Sequence, residues 1–105
     1  MTTATLAGTK VEINNEGFLV DPDQWTEEIA ADIARREGMG ELSERQWEVI
    51  HFMREQWRQH GQGPNVRLLS KTSGISIKEL YQIFPKGPAK LAAKIAGIPK
   101  PVGCI

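Results

Sequence analysis

The chain has 105 residues, 40% of them hydrophobic and 25% charged, with 13 basic and 13 acidic side chains. That is one globular domain by length and content, with no run near the about 18 apolar residues of a membrane span and no basic-then-apolar leader at its start. One cysteine and two histidines exclude disulfide-stapled and zinc-stapled scaffolds and fit a reducing cytoplasmic setting, and a chain this short leaves a core too modest to surround a deep substrate pocket.

The fold class expected is mainly α (α+β): a small orthogonal helical bundle with a helix-turn-helix-like element, an N-terminal β-hairpin and a flexible C-terminal arm. Residues 1–20 carry the β signals. Thr5-Leu6-Ala7 and Lys10-Val11-Glu12-Ile13 flank Gly8-Thr9, and Asn14-Asn15-Glu16-Gly17 separates Ile13 from Phe18-Leu19-Val20. Short β-prone runs between turn residues predict a hairpin or meander that must pack on helices.

Residues 23–97 read as a bundle of four or five helices. Asp23 is the expected N-cap of a first helix carrying Trp25, Ile29 and Ile33, stopped by Gly38. Ser43 with Gln46 forms a capping box for a second, with Trp47, Ile50, Met53 and Trp57 along one face and its end near Gly61. Pro64-Asn65 starts a short helix that Gly74 stops, and Ser76 with Glu79 forms another capping box before a helix that breaks at Pro85. Gly87-Pro88 places proline at the first position of a last helix, closed by Gly97. Residues 1–97 thus form one domain. Residues 98–105 form an arm that Pro99 and Pro101 bias toward extended geometry.

Net charge is divided along the chain. Residues 1–60 hold six cations against twelve acids, a net of −6. Residues 61–105 hold seven against Glu79 alone, a net of +6. The basic part either faces an anionic partner or complements the acidic part within the fold.

Chemistry concentrates at Cys104. It is second from the end, follows Gly103 and sits on the arm, where a thiol is placed to visit a partner's pocket rather than to fill a core. That position does not fit a prenylation box, which needs the cysteine fourth from the end. His51 lies mid-helix and His60 at a helix end, so neither forms a nucleophile–base pair with the cysteine. Trp25, Trp47 and Trp57 match helical packing rather than a base-stacking platform. No metal-ligand spacing and no phosphate loop is present, and no cofactor is expected. Leu68 to Tyr81 has the spacing of a helix-turn-helix. If it reads DNA, Ser76, Lys78 and Gln82 are the side chains in the groove; the plain alternative is a tri-helical core using the same turn.

The residues Phe84-Pro85-Lys86-Gly87-Pro88-Ala89-Lys90 and Lys94 through Ile105 (KIAGIPKPVGCI) closely resemble the DsrC/TusE family. Asn15-Glu16-Gly17-Phe18-Leu19, Gln46-Trp47-Glu48-Val49-Ile50 and Pro64-Asn65-Val66-Arg67-Leu68-Leu69 resemble the same family, so the likeness covers almost the whole chain. It implies a cytoplasmic sulfurtransferase component that carries persulfide sulfur on the penultimate cysteine, here Cys104. The donor would be a TusBCD- or DsrEFH-type complex, and the acceptor a tRNA thiouridylase or a dissimilatory sulfite reductase. Partner contacts are expected at Arg67, Lys90, Lys94, Lys100, Pro101 and Gly103, with no membrane and with direct nucleic-acid binding as the alternative, a sulfur-responsive regulator. Two departures stand out. Ala93 occupies the position of the second arm cysteine of the sulfite-reductase branch, so two-cysteine chemistry is not expected. The Ser70–Tyr81 stretch is expected to be several residues shorter than in other members.

Overall fold

The structure is a computed structural model describing residues 1–102. Strands β1 (Thr2–Leu6) and β2 (Thr9–Ile13) pair antiparallel, with Thr2 opposite Ile13 and Leu6 opposite Thr9. The connection is therefore Ala7-Gly8, one residue earlier than the glycine–threonine step predicted. Both residues have positive φ, 50° and 78°, as the twist of a two-residue hairpin requires. Phe18–Val20 adds a single bridge, Leu19 to Ile13, rather than a third strand. The Asn14 carboxamide explains this, since its Oδ1 accepts the Glu16 and Phe18 amides and curls the chain before pairing can extend.

The hairpin is tied to the first helix by a charged hub. Asp32 Oδ2 accepts the Ala7 amide at 2.9 Å, and Arg36 Nη2 donates to the Thr5 carbonyl at 2.8 Å while also pairing with Asp32. Asp32→Ala should cost about 1 kcal/mol, the scale of one partly exposed hydrogen bond to a charge. It should also speed amide exchange at Ala7 ahead of the helices, which hydrogen exchange followed by NMR would check.

Helix α1 (Glu27–Arg36) begins later than Asp23 predicted: its cap is Thr26, whose Oγ1 accepts the Ile29 amide at 3.1 Å. Asp23 instead lies in a 3-10 turn over Pro22–Gln24, and Trp25 is extended between the two. Thr26 followed by Glu27 and Glu28 is the better helix start, because both carboxylates lie in the first turn. Helix α2 (Glu44–His60) has the full Ser43–Gln46 box and ends on left-handed Gly61. Helix α3 (Val66–Ser73) is capped by Asn65, and α4 (Ile77–Ile83) by Ser76. The second box is only half formed, since the Glu79 carboxylate reaches across to Arg45 at 2.8 Å.

Helix α5 (Pro88–Ile95) is the hub. It packs against α1, α2, α3 and α4. Its Ala89, Ala92, Ala93 and Ile95 are fully buried. Alanines let the other helices approach closely, while Phe18, Ile50, Met53, Leu69, Leu80 and Phe84 fill the volume around them. The observed architecture is the small α+β fold expected: five helices and a two-stranded hairpin.

Candidate functional site

The segment that leads to Cys104 follows α5, and its start is tightly specified. Ile98 donates its amide to the Ala93 carbonyl at 3.1 Å and Gly97 to Lys94 at 3.2 Å, with Gly97 at φ 69°. This paired pattern is a Schellman stop, and the residue after the glycine is expected to bury an apolar side chain. Ile98 does so completely, against Met53 and beside Gly63.

Two side chains from distant elements cap the remaining carbonyls of α5. Trp25 Nε1 donates to the Ile95 carbonyl at 2.8 Å, and Arg54 Nη1 donates to the Ala96 carbonyl at 2.8 Å. The Arg54 guanidinium lies 4.3 Å from the centre of the Trp25 ring, and its other nitrogen reaches the Pro22 carbonyl at 3.3 Å. Burial pushes the Arg54 pKa down, yet a guanidinium stays charged at neutral pH. It meets the negative end of the helix dipole there. Gly97 lies directly under Trp25: a Cβ on it would come within 2.3 Å of the indole. Neither Trp25 nor Arg54 was singled out for this role from the sequence. The one available signal was an arginine on the apolar side of α2.

Beyond Ile98, Pro101 is buried while Pro99 and Lys100 are exposed. Lys100 Nζ lies 3.2 Å from Glu16, which also receives Lys90 at 3.2 Å. Lys94 pairs with Glu37 at 2.8 Å. Three of the lysines expected to meet a partner are therefore ion-paired within the chain, around an open cleft of about 470 Å³ lined by Glu16, Glu37, Lys86, Lys90, Leu91 and Lys94 among others. The charge division along the sequence is partly satisfied inside the fold. Arg67 is exposed on α3; Gly103 and Cys104 lie outside the described residues.

Lys100 and then Lys90 hold the Glu16 carboxyl below its ordinary pKa of 4.5. A lowered folded-state pKa means the pair stabilises the fold above the ordinary value, and that contribution is lost as the pH falls through the lowered one. Glu16→Gln should therefore flatten the acid limb of the stability–pH curve relative to wild type. The difference should shrink in high salt, because these groups are exposed and screened. Thermal unfolding between roughly pH 5 and 3, at low and high salt, would check it.

His51 Nε2 lies 2.8 Å from Glu27 and its ring stacks on Trp47. His60 is the exposed last residue of α2. In the helix-turn-helix-like element, the Ser76 hydroxyl is occupied as a cap by the Glu79 amide, while Lys78 and Gln82 are exposed. Among the described residues no cluster of side chains could hold a metal ion, and no helix is long and apolar enough to cross a membrane.

The family model described as DsrC like protein matches residues 5–105. The chain is 38% identical to the gamma subunit of dissimilatory-type sulfite reductase from Nitratidesulfovibrio vulgaris, over 100% of both chains. It is 44% identical to the sulfurtransferase TusE of Sodalis glossinidius, over 93% of this chain and 96% of that one. The NMR structure of Allochromatium vinosum DsrC superposes with a TM-score of 0.87 at 35% identity, covering 98% of this chain and 97% of the other. A family-model match over residues 5–105, with relatives of the same fold along nearly the whole chain, places this chain in the DsrC-like protein family.

Proposed function

We propose that this protein is a sulfur carrier that accepts persulfide sulfur on Cys104 from a donor protein and passes it to an acceptor protein. The observation that carries the reading is the family match running through residue 105, and so through the chain's single cysteine, on a body whose last helix is capped where that segment begins. Relatives named as sulfurtransferases support the transferase class.

The chemistry follows from a lone thiol. The Cys104 thiolate attacks the outer sulfur of a donor persulfide, the donor's sulfur–sulfur bond breaks, and the donor leaves as a thiolate. Cys104 then holds the persulfide, a reversible cap, until an acceptor thiolate attacks its outer sulfur and restores the Cys104 thiolate. No net oxidation occurs in either step. With alanine at position 93 and no other cysteine, the carrier has no internal thiol to expel the sulfur as a disulfide. Its cargo leaves only to another molecule. A TusBCD- or DsrEFH-type complex fits as donor, and a tRNA thiouridylase or sulfite-reductase-like protein as acceptor. Lys90, Lys94 and Lys100 assist by exchanging their exposed carboxylate partners for those of the docking protein, at little cost because such pairs are weak.

Intact mass after incubation with a persulfide-charged TusD/DsrE-type donor tests this. The wild type should gain one sulfur and lose it to an acceptor. No gain from such a donor would overturn the carrier reading.

A further inference from the structure

Helices α3 and α4 turn an unusual face to solvent. Leu68 is 45% exposed, Ile77 42% and Tyr81 42%. These are the large apolar side chains most exposed on the helices, since Met1, Val20 and Val102 lie outside them. Ile77 and Tyr81 are four apart and share one side of α4. The charged residues on the exposed positions of the same two helices are Arg67, Lys71 and Lys78. Glu79, the one acid beyond residue 60, is drawn to Arg45 on α2 at 2.8 Å. The exposed positions of these two adjoining helices therefore carry apolar and basic side chains together.

The location of this face matters as much as its chemistry. Ile98, the buried foot of the C-terminal segment, packs beside Gly63, three residues before α3 begins. Arg67 and Leu68 lie in the first turn of α3, a few residues along the chain from that contact. We propose that the exposed sides of α3 and α4 are the docking surface for the sulfur donor, through an apolar patch on the donor accompanied by carboxylates. The inference rests on the carrier reading and adds to it where the donor binds and what it must present.

Charge complementarity sets the partner's sign, and the apolar side chains set its class. Tyrosine and arginine are the residues on which protein interfaces concentrate binding energy, and a positive surface speeds encounter with an acidic partner. A groove-reading helix contacts bases through its N-terminal residues. Here that end is Ser76, whose hydroxyl is occupied by the Glu79 amide, followed by Ile77. A phosphate backbone would leave Leu68, Ile77 and Tyr81 without a counterpart.

The test uses the full chain with a purified TusBCD-type donor complex, and two variants on exposed positions: Leu68→Ser with Tyr81→Ser, and Arg67→Glu with Lys78→Glu. Donor binding is measured by calorimetry and transfer by intact mass over a range of donor concentrations. Inorganic polysulfide, which needs no docking, serves as an alternative sulfur source. Each variant should raise the half-saturating donor concentration by about tenfold or more, the scale of losing one or two anchor residues, with the maximal rate and polysulfide loading unchanged. Added salt should weaken wild-type binding and strengthen, if it changes it at all, that of the charge-reversed variant, whose new carboxylates repel the donor's. Transfer with unaltered half-saturation in both variants would overturn the docking face and leave the carrier standing. Binding that the variants weaken, without any sulfur transfer, would do the reverse. Wild-type tRNA binding that the charge reversal abolishes, with donor saturation unchanged, would make the face an RNA site and overturn the proposal.

Discussion

Gly97→Ala is expected to lower the unfolding free energy by about 2–5 kcal/mol, a large part of what a domain of this size possesses. Two independent terms add. An alanine at φ 69° occupies the left-handed region, at about 1–2 kcal/mol. Its Cβ would also fall 2.3 Å from Trp25 Cδ1 and 2.9 Å from Leu19 Cδ1, and overpacking of this kind costs about 1–3 kcal/mol. Gly61 supplies the control, because it has φ 78° and a Cβ there would meet nothing within 4 Å. Gly61→Ala should therefore lose the backbone term alone. Denaturant melts of the two variants would separate the terms. Equal losses would mean that the indole does not press on the turn. Pairing Gly97→Ala with Trp25→Ala should give less than the sum of the single losses, since the second change removes the atoms the first one strikes.

Cys104→Ser is expected to abolish sulfur uptake at every donor concentration while leaving the unfolding midpoint where it was. Serine keeps the shape of the side chain and removes the only nucleophilic sulfur, so loss of transfer cannot be ascribed to a lost contact surface. Mild oxidation of the wild type should yield disulfide-linked dimers and no internal disulfide, because the chain has one cysteine. Intact mass under non-reducing conditions checks both outcomes. Retained uptake in the serine variant would remove Cys104 from the mechanism altogether. The two variants are complementary: one damages the turn from which the segment starts, the other removes the atom that the proposed carrier uses.

What local sequence announced, it announced through caps. Ser43 with Gln46, Asn65, Ser76, Pro88 and the stops at Gly61, Gly74 and Gly97 were all legible, because each acts on hydrogen bonds within a few residues of itself. The start of α1 falls later than Asp23 because Thr26, also a competent cap, is followed by Glu27 and Glu28 in the first turn. Trp25, extended between the two candidate caps, is held from outside by a hydrogen bond to a carbonyl 70 residues away. The half-formed box at Ser76 has the same origin, since Glu79 found Arg45 34 residues earlier in the chain.

The candidate site divides along the same line. The lone cysteine, the prolines before it and the family resemblance of its segment are properties of the sequence by itself, and they sufficed for the fold class and for the expectation of a sulfur carrier. That Ile98 and Pro101 are buried, that Arg54 and Trp25 cap the end of α5, and that Glu16 gathers Lys90 and Lys100 were decided only by the tertiary structure. Helix caps and turns are satisfied by near neighbours, so their energy is written in short spacings. A buried carbonyl or an exposed lysine takes whichever partner the packed chain brings within about 3 Å, and sequence separation carries no record of that choice.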